Sequence, residues 1–401
     1  MTTGLTAVVL AGGTSRRFGT DKLGHRLGER TLLAEALSGL PVGTEVIVVG
    51  PPPSDRPDLR VVREQPAGGG PAAALVSGLR AALEGPFEAV VVLPGDAPRA
   101  GQAAVELLSR LRRAPATDAV VAVDSGGREQ PLQLALRPAA ARALVEAAGA
   151  TAGAGASARR LLHTLSPPAV NHELSGAATF DIDTPAQLQA WLLRGSPAVD
   201  AVLTAAGRAA AGRGTDPRPV VVVLDGPSAA GKSTLASALA LRTSAVVLPG
   251  DDFYDGGRFT GGTGAEQDRW SGAEVAASVF DWSRLRTEAL LPLNHGEDAV
   301  YRPYDWEAGD GRLGGPKRLT SRPLVVVEGV YAARPELADL VDLSVFVDTD
   351  PDRRVRRRDA RGDDPGRRRL WERGEQHYFD RVRPPGSFDL QVQPEAGQGL
   401  A

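Results

Sequence analysis

Two glycine-rich stretches, each following an apolar run and each supplying a lysine, carry the most visible chemistry in this 401-residue sequence. The first is Leu10-Ala11-Gly12-Gly13-Thr14-Ser15-Arg16-Arg17-Phe18-Gly19-Thr20-Asp21-Lys22, after Ala7-Val8-Val9. The second is Gly226-Pro227-Ser228-Ala229-Ala230-Gly231-Lys232-Ser233, after Val220–Asp225. Glycine lets a backbone approach anionic oxygens, and N–H groups at a strand-to-helix turn favour phosphate. In the first stretch, Arg16 or Arg17 and Lys22 are the natural charge partners of a triphosphate. In the second, the Gly-x-x-x-x-Gly-Lys-Ser spacing between a strand and a helix is a P-loop. Its amides from Ala229 to Lys232 would cradle a β-phosphate, Lys232 would reach the β/γ oxygens, and Ser233 would hold Mg²⁺. Gly226 and Gly231 frame that turn, and Thr234 opens the helix predicted over 234–241.

Around these loops, short Val/Ile/Leu runs predict buried strands and Ala/Leu-periodic segments predict helices. In the first half the strands are expected at 7–10, 46–49, 89–93, 119–123 and 132–136. Helices are expected at 32–40, 72–83, 103–112, 139–147 and 187–193, with a loop over 151–156. A second alternation starts at Val220 and continues at 246–248, 324–327 and 343–347. Such alternation predicts an α/β fold with largely parallel sheets. The organisation expected is two tandem domains, 1–195 and 219–392. Between them, 196–218 reads as a linker with one short helix near 199–211, and 393–401 reads as a disordered tail. Four of the five tryptophans (Trp270, Trp282, Trp306, Trp371) follow the linker, so the halves differ in core chemistry.

The composition suits a globular chain, with 42% hydrophobic and 24% charged residues. A net charge of -3 offers no bulk attraction to nucleic acid or to an anionic membrane, and no apolar run approaches the ~20 residues of a membrane span. With 0 cysteines, disulfides and thiolate metal sites are excluded. His25, His163, His172, His295 and His377 show no metal-ligand spacing. A cytoplasmic location is expected, with small molecules as partners.

The first loop, read with its neighbours, closely resembles the molybdenum cofactor guanylyltransferase family. The matching segments, in order, are Glu64-Gln65-Pro66-Ala67-Gly68-Gly69-Gly70-Pro71-Ala72, Leu93-Pro94-Gly95-Asp96, Gln130-Pro131-Leu132 and Asp181-Ile182-Asp183-Thr184-Pro185. The resemblance covers the first half and implies a Rossmann-like nucleotidyltransferase sheet. It also implies GTP as donor, a molybdopterin-type phosphate as acceptor, and release of pyrophosphate. Leu10, Ala11, Gly12, Gly13, Arg16, Lys22 and Glu64 would bind the nucleotide. Asp96 would bind Mg²⁺, with Asp183 a second ligand or a helix cap, and Lys22 would neutralise charge beside it. Asp181 and Asp183 stand where the family usually has Asn, a pattern shared with cytidylyl-transferring relatives. The Gly12-Gly13 pair favours GTP, because it leaves room for a purine.

The second half resembles uridine kinases. The resemblance rests on Gly250-Asp251-Asp252-Phe253-Tyr254, Arg302-Pro303-Tyr304-Asp305-Trp306, Val327-Glu328-Gly329, and the strand and arginine run of Val345–Asp359. It implies ATP as donor, Asp251 as acceptor of the substrate hydroxyl's proton, and Glu328 near Mg²⁺. Arg357 and Arg358 would form a lid, while Arg353 and Arg354 read as a solvated face. Gly309 replaces a base-reading histidine of that family, so uridine itself does not follow. Two other readings stay open: nucleotidyl transfer to a different phosphorylated acceptor or from CTP, and one half acting as a non-catalytic nucleotide-binding regulatory module. The sequence does not identify protein partners.

Overall fold

The computed structural model describes residues 4–12, 22–124, 126–255, 269–361 and 365–394. By contact the chain divides into two units, Met1–Leu188 and Gln189–Ala401, both α/β.

The main sheet of the first unit has seven strands: β1 (Leu5–Leu10), β2 (Glu45–Val49), β3 (Arg60–Val62), β4 (Ala89–Pro94), β5 (Ala119–Val123), β6 (Glu129–Leu136) and β7 (Val170–Glu173). They lie in the order β3-β2-β1-β4-β6-β5-β7. β1 is parallel to both β2 and β4, and its Ala7, Val8 and Val9 are fully buried, as a strand covered on both faces requires. Alternation sends Val8 to one face, under helix α1 (Pro71–Ala82), and Ala7 and Val9 to the other, under α2 (Ala100–Arg113). α1 sits so close that a Cβ at Gly78 would lie 2.2 Å from Val8 Cγ1. The strand expected at 132–136 is not parallel. It belongs to β6, antiparallel to both β4 and β5, because the turn from β5 to β6 is too short for a parallel crossover.

The main sheet of the second unit has five strands, β8 (Val220–Asp225), β9 (Val246–Pro249), β10 (Leu324–Glu328), β11 (Leu343–Val347) and β12 (Leu390–Val392), in the order β9-β10-β8-β11-β12 and all parallel. Val221 and Val223 face an aromatic-rich core with Phe253, Tyr254 and Trp282, while Val222 and Leu224 face an aliphatic one. The segment read as a linker holds a helix, α4 (Pro197–Gly212), longer than expected. It follows α3 (Pro185–Leu193), and its Val199 and Val202 are buried with Val220 and Val222 in the aliphatic core. Beyond α4, Arg213 and Arg218 both bond to the buried carboxylate of Asp342. Of the expected tail, Gln393 and Pro394 are described, and Pro394 is buried; 395–401 lie outside the described residues. Among the described residues, no helix is long and apolar enough to cross a membrane.

Candidate active sites

Each sheet gathers its candidate residues at the carboxyl ends of its central strands, where α/β sheets bind ligands. In the first unit, Leu10 ends β1, and Ala11 and Gly12 follow it. Ala11 N–H donates to the Val49 carbonyl at 2.9 Å, and Gly95 N–H donates to the Leu10 carbonyl at 2.9 Å, which locks the ends of β2, β1 and β4 together. Among the described residues, a Cβ at Gly12 would meet only Val49 O at 3.8 Å and the Glu64 carboxylate at 3.9 Å. Glu64 thus stands beside Gly12, although its other oxygen accepts the Gly68 N–H. Gly13 and Arg16 lie outside the described residues.

Lys22 is 7% exposed, and its Nζ lies 2.6 Å from an oxygen of Asp96 and 2.6 Å from one of Asp183. Burial opposes its charge, but Asp96 and Asp183 outweigh burial and hold the ammonium above its usual pKa. Asp183 is available because Thr184 does the capping: its hydroxyl accepts the Gln187 N–H at the start of α3. Asp181, absent from the expected site residues, joins the group. Burial, then Asp96 and Asp183, push it up to about 7.

In the second unit helix α5 (Lys232–Thr243) starts inside the P-loop, with Gly231 as its N-cap at φ +103°. Lys232 is buried and folds back on the loop, donating to the Gly226 and Pro227 carbonyls at 2.9 and 3.0 Å. The register sets Glu328 beside Leu224 on one side and Pro249 on the other, so Glu328 and Asp251 converge on the loop. Glu328 is pushed up to about 7 by burial and by Asp251, against the pull of Lys232 and a hydrogen bond from Ser233. Asp251 is raised by the surrounding protein mass, although one side of it opens to solvent through the cleft. Its neighbour Asp252 is tied up, accepting the Tyr301 hydroxyl at 2.6 Å and Lys317 Nζ at 2.7 Å.

Lys232, Ser233, Asp251 and Glu328 line a cavity of about 160 Å³ with Thr234 and an aromatic wall of Tyr254, Phe280, Trp306 and Trp371. Tyr254 and Trp306 lie 4.8 Å apart between ring centroids. Helix α6 (Gly272–Ser278) packs against the second of the two helices that follow β11, α7 (Pro351–Arg361) and α8 (Pro365–His377). Arg357 reaches the loop through the Ala229 carbonyl at 3.0 Å. Arg358 does not reach the cavity: it is 6% exposed and paired to Glu372 at 2.8 Å. Arg354 is likewise half-buried rather than solvated. Arg361 lines the cavity and pulls on Asp251, so the arginine facing the site is one helical turn beyond Arg357. The i, i+4 spacing from Arg357 was a signal that could have found it.

Both donor sets suit a hard cation, since they offer carboxylate and hydroxyl oxygens alone. Among the described residues no three His, Cys, Asp or Glu converge as a protein cage. Mg²⁺ needs none, because it takes one or two carboxylates and completes its shell with phosphate and water.

Fold and sites together define a two-unit α/β transferase, with a nucleotidyltransferase sheet followed by a P-loop phosphotransferase sheet. Residues 7–169 match the MobA-like NTP transferase domain, and residues 221–384 match the phosphoribulokinase/uridine kinase family. A protein of Mycobacterium tuberculosis (strain ATCC 25177 / H37Ra) named "Probable molybdenum cofactor guanylyltransferase" is 39% identical over 140 residues, 33% of this chain and 68% of that one. A uridine kinase of Latilactobacillus sakei subsp. sakei (strain 23K) is 28% identical over 171 residues, 41% of this chain and 77% of that one. One from Oceanobacillus iheyensis is 29% identical over 174 residues, 42% of this chain and 80% of that one. The chain belongs to the molybdenum cofactor guanylyltransferases through its first half, and its second half carries a phosphoribulokinase/uridine kinase domain; both are enzyme families.

Proposed function

We propose that the chain is a bifunctional enzyme. The first unit transfers GMP from GTP to the phosphate of a molybdopterin-type acceptor. The second transfers the γ-phosphate of ATP to the hydroxyl of a nucleoside-like acceptor. The observation that carries the first reading is Lys22 held between Asp96 and Asp183. An acceptor phosphate oxygen attacks the α-phosphorus, the bond to the bridging oxygen breaks, and pyrophosphate leaves. Lys22 offsets the charge that builds on the leaving group, so the unit works by positioning and electrostatics. Asp96 and Asp183 would hold Mg²⁺, which when bound neutralises phosphate charge.

Asp251, open to the cavity while Asp252 is bound elsewhere, supports the second reading. Asp251 takes the proton of the acceptor hydroxyl as its oxygen attacks the γ-phosphorus and ADP departs. Lys232 and Arg361 face the phosphates, and Ser233 and Glu328 would hold Mg²⁺. The aromatic wall suits an acceptor with a flat ring.

The test is a substrate screen on the full chain. Pyrophosphate release would be followed with each nucleoside triphosphate plus molybdopterin, and ADP release with ATP plus a nucleoside panel. A preference for CTP would overturn the guanylyl assignment. Absence of ADP release above that of Lys232→Ala across the panel would overturn the kinase assignment.

A further inference from the structure

Asp225 ends β8, directly before the first glycine of the P-loop, and is fully buried. Both of its oxygens are used. Oδ1 accepts the Gly226 N–H at 2.6 Å and the Tyr331 N–H at 2.9 Å. Oδ2 accepts the Ala333 N–H at 2.9 Å and the Tyr378 hydroxyl at 2.9 Å. The four donors come from three places: the mouth of the P-loop, the loop after Glu328, and the helical turn Tyr378–Val382 that continues α8.

Two of those donors sit in backbone conformations that need support. Gly226 has φ +146°, and a Cβ there would fall 2.1 Å from the Val347 carbonyl oxygen. Tyr331 has φ +68°, in the left-handed region that a bulky residue rarely adopts. One carboxylate fixes both. A second tie runs parallel to it: Glu375, three residues before Tyr378 and so on the same helical face, accepts the Ser228 N–H at 3.1 Å. The helix that follows the arginine-bearing α7 therefore grips the P-loop at two points, and Asp225 is where that grip meets the Glu328 loop.

We propose that Asp225 is a positioning residue for phosphoryl transfer, registering the P-loop, the loop after Glu328 and the α8 helix against one another. It touches no phosphate; it sets where Lys232 and Glu328 stand. The proposal rests on the kinase reading above. Charge-assisted hydrogen bonds are about twice as strong as neutral ones, and small misplacements of catalytic groups cost about 10²-fold in rate. A purely structural anchor would lower the melting temperature and leave nucleotide affinity of the folded protein alone.

The experiment uses the full chain with Mg²⁺ and the fluorescent nucleotide mant-ADP, well below each variant's melting temperature. Asp225→Asn, which keeps the shape but loses acceptor capacity, should weaken mant-ADP binding about tenfold or more. Tyr378→Phe, which removes one donor, should weaken it about threefold. Should Asp225→Asn fail to fold, Tyr378→Phe decides. Binding within twofold of the unaltered chain in every variant that folds would overturn this inference alone. Absence of binding by the unaltered chain would overturn the kinase reading and this inference with it.

Discussion

The ammonium of Lys22 lies 2.6 Å from a carboxylate oxygen of Asp96, a residue 74 positions further along the chain. Both are shielded, with side chains 8% and 24% exposed, so the pair is screened less by salt than a surface pair. With Asp183 on the same ammonium and Asp181 behind, carboxylates outnumber the cation. Removing the lysine leaves those charges facing one another. Lys22→Ala should therefore lower pyrophosphate release on the order of 100-fold, while ADP release by the second unit stays within about twofold. Both can be read in one preparation. Pyrophosphate release above about a tenth of the unaltered rate would remove Lys22 from the site.

Trp306 is 46% exposed, yet it stacks near Tyr254 and lines the cavity. An exposed indole held beside a cleft is placed to meet a ligand ring. Trp306→Ala should raise the KM for the acceptor about tenfold and leave the KM for ATP unchanged. Steady-state kinetics with the acceptor found by the screen separates the two constants, and an equal rise in both would argue against a role on the acceptor side.

Arg361 and Arg358 sit on one short helix and should respond differently. Arg361 faces the cavity, so Arg361→Ala should lower kcat for phosphoryl transfer about tenfold or more with little change in stability. Arg358 is buried against Glu372, so Arg358→Ala should cost about 1–3 kcal/mol of stability, read by urea unfolding. A variant pair with the two effects exchanged would reverse the assignment.

The P-loop turn and the strand-end positions of Asp96, Asp251 and Glu328 were legible because each follows a run of buried aliphatic residues. β5 and β11 lie at the expected residues for the same reason. What escaped lacks such a run. β3 (Arg60–Val62), β7 (Val170–Glu173) and β12 (Leu390–Val392) are short edge strands with polar residues, held by pairing rather than by pattern. The antiparallel direction of β6 depended on the length of a turn, not on its apolar residues. Arg358 and Arg361 could not be told apart by composition. What separates them is which way the helix faces once packed, and that is set by Glu372 on the next helix. Asp225 gave no signal, since its importance lies in donors far away in the chain.

The segment 196–218 should behave as part of the second unit. Asp342, with its side chain 6% exposed, accepts from Arg218 at 2.6 Å and from the Val221 N–H at 2.8 Å. A chain beginning at residue 219 would lose both arginines and the buried face of α4. It should unfold at a lower urea concentration than one beginning at residue 196. Asp342→Ala in the full chain should cost on the order of 3 kcal/mol, because it strands buried donors. Identical midpoints for the two truncated chains would show that the segment is dispensable.

Glu375 gives a pH dependence whose sign can be worked out. Burial raises its pKa above the usual glutamate value, against the opposing pull of Lys232, the Ser228 N–H, Arg354 and Arg358. Tyr331 also faces it, but a phenol whose own pKa is raised stays neutral over this range. The folded state therefore keeps the Glu375 proton to higher pH than the unfolded chain, which releases it near the ordinary value of about 4.3. Over that window the native state binds more protons, so this group's contribution to stability falls as pH rises. Glu375→Gln cannot ionise, yet its amide oxygen can still accept from Ser228. Asp225, Asp251 and Glu328 titrate with the same sign in both proteins and cancel in a comparison. The melting temperature of Glu375→Gln minus that of the unaltered chain should be near zero at about pH 4 and grow in the variant's favour toward neutrality. It should then level off above the folded-state pKa. A difference that stays flat with pH, or shrinks as pH rises, would show that the arginines and Lys232 outweigh burial at this carboxylate.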